Sequence, residues 1–344
     1  MNLRIRIRIE IAPSRWIGLA LVSKLVLALA CVLQPGLARP GLAQSSPNPG
    51  RPITMIVPLP AGGTADLLCR LAAEKAGGIL KQQIIVENRP GGAGGRVGSE
   101  AVFRAAADGS TLLCAPQLTF TVAHLLFRKA SIDPREFVPV SVLAGYPLVL
   151  IGRAGLQANT AAELFAFAGA NPGKINYGHQ GKGQTGHLLG ELLMLRGKFK
   201  MTEIPYRGSA PAINDLLGGS IDLVPDYLLA NKQNIDSGKL KLLAVASRER
   251  LKDYPNVATV AETLPGVYAD TWMAIAAPPK TPKDVVDTIA GAIGQAFKVP
   301  DLRARIVALE AEPLGNGPDE MRQLIEASAK HWTPVIEAAK ITID

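Results

Sequence analysis

The chain is expected to fold as α/β in two lobes, and three features carry that expectation. Short strand-like runs alternate with helical patterns along most of its length, as repeated βα units do. Of its 344 residues 48% are apolar, enough for one large core or two medium ones, and the repeating units suit two. The most telling stretch is Arg51-Pro-Ile-Thr-Met-Ile-Val-Pro-Leu-Pro-Ala-Gly-Gly-Thr-Ala-Asp66, an apolar strand that breaks into a Pro/Gly turn and empties into a helix. Free backbone N–H groups and the positive end of the helix dipole converge there, where an anion can sit.

Residues 1–43 read as an export leader rather than as structure. A basic start (Arg4, Arg6, Arg8, Arg15, Lys24) leads into the apolar run Leu25 to Leu33, and Gly-Leu-Ala triplets ending at Ala38 and Ala43 offer small-residue cleavage sites. Cleavage after Ala43 is favoured. A retained membrane span is the weaker reading, since Lys24 interrupts the apolar zone and Pro35 begins a Gly/Pro/Ser-rich spacer. Cys31, after Leu27-Ala-Leu-Ala30, resembles a lipoprotein cleavage box with Ala28 where Leu is usual, and a soluble exported protein is preferred to an anchored one.

Past the leader, strand-like runs fall at Thr54–Val57, Gln83–Glu87, Thr111–Ala115, Leu148–Gly152, Lys174–Tyr177, Glu203–Tyr206, Asp222–Val224, Leu240–Ser247 and Met273–Ala276. Helical patterns fall at Asp66–Leu80, Thr160–Ala170, Thr185–Leu195, Ala210–Leu217 and Pro282–Phe297. Two late helices, Asp301–Glu310 and Pro318–Ala339, would pack on a lobe already formed, and Pro318 suits a first helical turn.

Composition excludes several function classes. The whole chain carries a formal charge of +8, but the leader holds six of its 37 basic residues and one of its 29 acidic ones, leaving a net +3. That is too little to argue for nucleic acid, and no basic run interleaves with aromatics. Cys69 and Cys114 form no metal-like cluster; they could pair only if the fold brings them together, and buried free thiols are the expected state. The four histidines (His124, His179, His187, His331) show no zinc spacing, and no GxSxG elbow marks a serine nucleophile. Gly181-Lys-Gly-Gln-Thr-Gly186 matches the dinucleotide pattern GxGxxG, with Glu203 about 20 residues on. Glu203, however, begins its strand instead of ending it, so a small anion at that helix N-terminus is the better reading. No enzyme chemistry, cofactor or metal is expected.

Across the mature chain a series of short motifs occurs in a set order: Arg51-Pro-Ile, Val57-Pro-Leu-Pro-Ala-Gly-Gly, Val86-Glu-Asn-Arg-Pro-Gly91, Asp108-Gly-Ser-Thr-Leu-Leu113, Phe137-Val-Pro-Val140, Ala170-Asn-Pro-Gly-Lys174, Pro205-Tyr-Arg-Gly-Ser-Ala-Pro211, Asp215-Leu-Leu-Gly-Gly219, Leu243-Ala-Val-Ala-Ser247 and Ala277-Pro-Pro-Lys-Thr-Pro282. Each is weak alone, but the collinear series is specific. It resembles the Bug family of periplasmic solute-binding proteins, the receptors of tripartite tricarboxylate transporters. The resemblance implies a two-lobed periplasmic-binding-protein (Venus flytrap) fold that closes on a small carboxylate and delivers it to a membrane permease. The expected organisation is a leader at 1–43, a first lobe from 44–145 and 266–344, and a second lobe from 146–265, acting as a monomer, with Pro265-Gly266 as the crossover.

The resemblance also implies where the ligand sits. On the first lobe the expected binding residues are Pro60, Ala61, Gly62, Gly63, Thr64 and Asp66. Gly62 and Gly63 permit close backbone approach; Thr64 either donates a hydroxyl or caps the helix; Asp66 is better suited to steadying the helix dipole than to facing an anion. On the second lobe they are Gln180, Gly181, Lys182, Gly183, Gln184 and Thr185, with Asp226 lining the cleft, where it either accepts from a ligand or locks the hinge. This turn departs from the family pattern: His179 and Gln180 stand at usually small positions, and Lys182 at a usually neutral one. Thr185 is the best hydroxyl donor, and His187 fits a packed structural histidine. Lys182 either reaches a second ligand carboxylate or lies solvated on the outer face. The loop Pro90-Gly-Gly-Ala-Gly-Gly95 is one glycine longer than usual.

Overall fold

Uninterrupted apolar strands need cover on both faces, and the chain supplies it twice. In the computed structural model, which describes residues 51–127 and 131–343, β1 (Ile53–Val57), β2 (Ile84–Asn88) and β3 (Thr111–Pro116) run parallel, with β1 between the other two. β10 (Trp272–Ala277), buried along its whole length, adds antiparallel to β3 and to β4 (Val138–Gly145), and β11 (Glu312–Asn316) closes the edge, giving the order β11-β4-β10-β3-β1-β2. The second sheet has the order β7-β6-β8-β5-β9, built from β5 (Leu148–Arg153), β6 (Asn176–His179), β7 (Thr202–Pro205), β8 (Leu223–Tyr227) and β9 (Leu240–Val245). In it β6 pairs parallel with β7 and β8, while β5 runs antiparallel to β8 and β9.

The helices follow in chain order: α1 (Thr64–Leu80), α2 (Arg96–Phe103), the short α3 (Gln117–Thr121) and α4 (Ala123–Leu126), α5 (Ala161–Ala170), α6 (Thr185–Gly197), α7 (Ser209–Leu217), α8 (Leu228–Asp236), the single turn α9 (Val260–Thr263), α10 (Lys283–Ala296), α11 (Pro300–Val307) and α12 (Pro318–Ala338). The last begins with proline in its first turn, as expected. It serves both sheets: Met321 packs with Phe120 and Trp272 of the first, whereas Trp332, Val335 and Ile336 join the core built on Leu188, Leu189 and Tyr177 of the second. Among the described residues no helix is long and apolar enough to cross a membrane.

The free-thiol expectation is corrected. Cys69 and Cys114 form a disulfide, with Cα atoms 6.2 Å apart. The parallel pairing of β1 with β3 sets α1 over β3 and so brings together cysteines 45 residues apart in sequence. Seven elements were not expected: β4, which contains Pro139; β11, at the sheet edge; and the helices α2, α8 and the short α3, α4 and α9. β6 starts later than the run Lys174–Tyr177, because Asn171 and Lys174 close a turn first. The leader, its cleavage sites and Cys31 lie outside the described residues.

Two passages between the sheets are bonded to each other. Tyr146, on the step from β4 to β5, donates its N–H to the Thr271 carbonyl at 3.0 Å, and the Thr271 hydroxyl donates to the Tyr146 carbonyl. The return to β10 leaves the second sheet after Ala269, whose N–H still bonds Ala246 at 2.7 Å.

Candidate functional site

In open α/β sheets ligands gather beyond the carboxyl ends of the parallel strands. On the first sheet that edge carries the turn Pro58–Gly63 between β1 and α1. Pro60, Ala61, Gly62 and Gly63 are exposed, and a Cβ at Gly62 or Gly63 would meet no atom. Gly62 has φ +85°, a conformation that side chains rarely adopt. The residue at the helix N-cap is Gly63, and no side chain caps the helix. The first-turn N–H groups of α1 therefore keep their hydrogen-bonding capacity. Thr64 is the first helical residue, so of its two expected roles the capping one is not taken.

Asp66 braces this turn from behind. It is 3% exposed and accepts from the Gly62 N–H at 2.9 Å, Arg70 Nε at 3.0 Å and Asn88 Nδ2 at 2.9 Å. Asn88 also donates to the Leu59 carbonyl at 3.1 Å. Burial pushes the Asp66 carboxyl up, but its hydrogen bonds to Arg70, Gly62 and Asn88 outweigh burial and hold it below the usual range. Its oxygens are spent on the loop.

The second sheet repeats the plan between β6 and α6. Gln184 is the N-cap of α6, extended at φ −77° and ψ 161°, again without a side-chain cap. Gly183 has φ +74°, and a Cβ there would come within 2.4 Å of Ile343 Cδ1 and 3.0 Å of Leu126 Cδ1, so glycine is required on both counts. Asp226 is fully buried and accepts from Gln180 Nε2 at 2.6 Å, the Tyr227 N–H at 2.8 Å, Asn231 Nδ2 at 3.1 Å and the Ser209 hydroxyl. Gln180 also donates to the Pro225 carbonyl at 2.8 Å. Burial raises the Asp226 carboxyl above its ordinary value despite these four donors. This carboxylate joins the β6–α6 turn to the starts of α7 and α8.

Beneath the turn, two histidines hold its glycines. His179 Nδ1 accepts from the Gly181 N–H and His187 Nδ1 from the Gly183 N–H, each at 3.1 Å. An acceptor Nδ1 on a neutral ring places the ring proton on Nε2. The Nε2 atoms face the Glu203 carboxylate, at 2.9 Å from His179 and 3.4 Å from His187. Burial lowers the His179 pKa, and it lowers that of His187 to about 4, so both rings are neutral at pH 7. Among the described residues His179, His187 and Glu203 are the one group whose ligand atoms converge, within 4.8 Å. A metal would need lone pairs at both Nε2 atoms, and the glycine N–H groups take the only lone pairs available. As folded, the group is a brace and not a metal site.

Lys182 is exposed and has no ion-pair partner among the described residues. Thr185 is buried, and the Tyr146 and Tyr227 rings lie 5.1 Å apart. Sequence reasoning named both turns, Asp66 and Asp226, but not the residues that hold the two carboxylates, Arg70, Asn88, Ser209 and Asn231. Asn88 lay inside a quoted motif, and its position at the carboxyl end of a strand neighbouring β1 was the available signal.

Two α/β sheets that cross twice, each presenting a glycine turn and an uncapped helix N-terminus, define a two-lobed periplasmic binding protein. The solved periplasmic binding protein BugD matches at a TM-score of 0.75 and 33% identity, covering 86% of this chain and 100% of its own. Rpa4515 of R. palustris, solved with adipate, gives a TM-score of 0.77 at 30% identity over 86% of this chain and 99% of its own. MatC from Rhodopseudomonas palustris, solved with bound malate, gives 0.74 at 30% over 84% and 99%. The model of the TctC family, tripartite tricarboxylate transporter family receptors, matches residues 68–341, and the chain belongs to that family.

Proposed function

We propose that this protein is an exported receptor that captures a small dicarboxylate between its two glycine turns and delivers it to a tripartite tricarboxylate-type membrane transporter from the periplasm. The observation that carries the reading is the paired construction of the turns, each ending in an uncapped helix N-terminus and each braced by a buried carboxylate. Oriented N–H groups at a helix start favour anions, and two relatives of similar fold hold adipate and malate. The binding set is Pro60, Ala61, Gly62, Gly63 and Thr64 on one side, and Gln180, Gly181, Lys182, Gly183, Gln184 and Thr185 on the other, with Asp66 and Asp226 as their braces. Lobes of 44–145 plus 266–344 and of 146–265 then close on the ligand, because a molecule touching both stabilises only the closed form.

Binding alone accounts for these residues: among the described residues no nucleophile and base converge on either turn, which favours a receptor over an enzyme. Thermal shift and small-angle scattering with a panel of mono-, di- and tricarboxylates test the reading. A dicarboxylate is expected to raise the midpoint and compact the particle. No shift and no compaction across the panel, with the protein shown ligand-free by native mass spectrometry, would contradict it. N-terminal sequencing of the exported protein is expected to begin at Gln44, and an intact Met1 there would oppose export with cleavage.

A further inference from the structure

Gly183, in the turn between β6 and α6, is packed by two side chains remote from it in sequence. The three atoms nearest to where its Cβ would stand are Ile343 Cδ1 at 2.4 Å, Leu126 Cδ1 at 3.0 Å and Ile343 Cγ1 at 3.5 Å. Leu126 ends α4, and Ile343 follows α12. Main chain joins the two: the Ile343 N–H donates to the Leu126 carbonyl at 2.6 Å, and Ile343 pairs in parallel with Phe127. Leu126 is buried in the core that contains Tyr177, Leu188 and Leu189, and Ile343 packs against that core. Their side chains therefore form a fixed apolar floor under Gly183.

The floor and the histidine bond hold different freedoms of the same residue. His187 Nδ1 accepts from the Gly183 N–H and fixes the direction of that peptide, whereas Ile343 and Leu126 set how deep its Cα can sink. Lys182 precedes Gly183, and Gln184 and Thr185 follow it into the uncapped start of α6, where backbone N–H groups favour an anion. Donors carried on backbone keep their aim only while the residues behind them hold the chain in place. We propose that Ile343, seated on Leu126, is a positioning residue for carboxylate binding: it sets the height of the second glycine turn from outside the binding set. Loss of Ile343 Cδ1 removes the nearest support and lets the turn settle away from the ligand. This inference rests on the carboxylate-receptor reading.

Ile343→Ala and Ile341→Ala separate positioning from packing. Ile341 lies in the same segment and the same core, 7% exposed, but supplies none of the three atoms nearest Gly183. Binding of adipate and of malate is measured by calorimetry at a temperature where every variant is folded. Ile343→Ala is expected to weaken binding on the order of tenfold, and Ile343→Val, which lacks only Cδ1, about threefold. Ile341→Ala should lower the thermal midpoint yet bind within about twofold of the parent. Parent-like affinity in Ile343→Ala, or an equal loss in Ile341→Ala, would overturn the positioning role. Should Ile343→Ala not fold, Ile343→Val decides in its place by the same comparison. Should the parent bind neither acid nor any other in the panel, the receptor reading fails, and the floor is judged by hydrogen exchange in the ligand-free protein. There Ile343→Ala is expected to speed exchange at the Gly183 amide and Ile341→Ala to leave it unchanged. Unchanged exchange in Ile343→Ala, or equal speeding in both, would overturn it.

Discussion

The two glycine turns share one plan, each ending in an uncapped helix N-terminus, but rest on different supports. The helix behind the first is fastened covalently, by the Cys69–Cys114 disulfide to β3, and its carboxylate Asp66 leans on a half-exposed Arg70. The second has neither a disulfide nor a cation in its brace: Asp226 is fully buried among Gln180, Ser209, Asn231 and a backbone N–H, and His179 and His187 hold the glycines above Glu203. The difference shows in the carboxyl groups, one held below its ordinary range and the other raised by burial. The first turn is set by a covalent tie and an ion pair, and the second by a dense network of hydrogen bonds from uncharged donors to one buried carboxyl group.

Breaking the covalent tie should have the largest effect. The disulfide spans 45 residues, for which loop-closure entropy gives about 4 kcal/mol. Cys69→Ser with Cys114→Ser should lower the urea midpoint accordingly, with faster hydrogen exchange in α1 and unchanged exchange in α6. Equal loosening of both helices would deny that the turns are supported separately. Asp226→Ala comes next: four donors lose a buried acceptor, at a cost of about 3 kcal/mol, read in the same urea experiment, whereas Asp226→Asn should recover part of the loss.

The third prediction concerns pH. His187 titrates at about 4 in the fold against about 6.5 in an unfolded chain. The unfolded state then binds more protons, so this contribution is complete above pH 6.5 and is lost as pH falls towards 4. Between pH 6.5 and 5 the slope sums to about 2 kcal/mol for one such group, and His187→Gln should flatten the stability profile there. Asp66, whose carboxyl is lowered, loses its contribution only as pH falls below the ordinary value of 3.8. Asp226, whose carboxyl is raised, contributes stability by protonation below 3.8 and loses it as pH rises through its raised value. The two braces thus have opposite signs in acid, and variants at each separate them.

Smaller still is Asp66→Asn, about 1 kcal/mol, since the amide oxygen can still accept from Gly62 and the lost Arg70 pair is half-exposed. Lys182→Ala should leave stability within about 0.5 kcal/mol. If its ammonium meets a second carboxylate, it should weaken dicarboxylate binding on the order of tenfold while sparing a matched monocarboxylate. Equal affinities for both acids would confine second-lobe recognition to the backbone and Thr185.

How much of this could be read from sequence follows from the range of the interactions. β1, its turn and α1 were readable because the apolar run, the Pro/Gly break and the helical period are adjacent. β4 was hidden by Pro139, and β11 by the polar sequence Glu-Pro-Leu-Gly-Asn316, neither of which shows an alternating face. The disulfide depended on β1 lying beside β3, which no local pattern announces. Asp226 was visible at the end of a strand, but its donors come from three other segments, at Gln180, Ser209 and Asn231, and only the folded chain brings them to one carboxylate.

If the proposed function holds, both turns grip one anion. Amide chemical shifts of Gly62, Gly63 and Thr64 and of Gly181, Gly183 and Thr185, followed by NMR while adipate or malate is added, test it most directly. Both sets are expected to move together with a single midpoint. Movement of one set alone, or of neither across a panel of small acids, would contradict it.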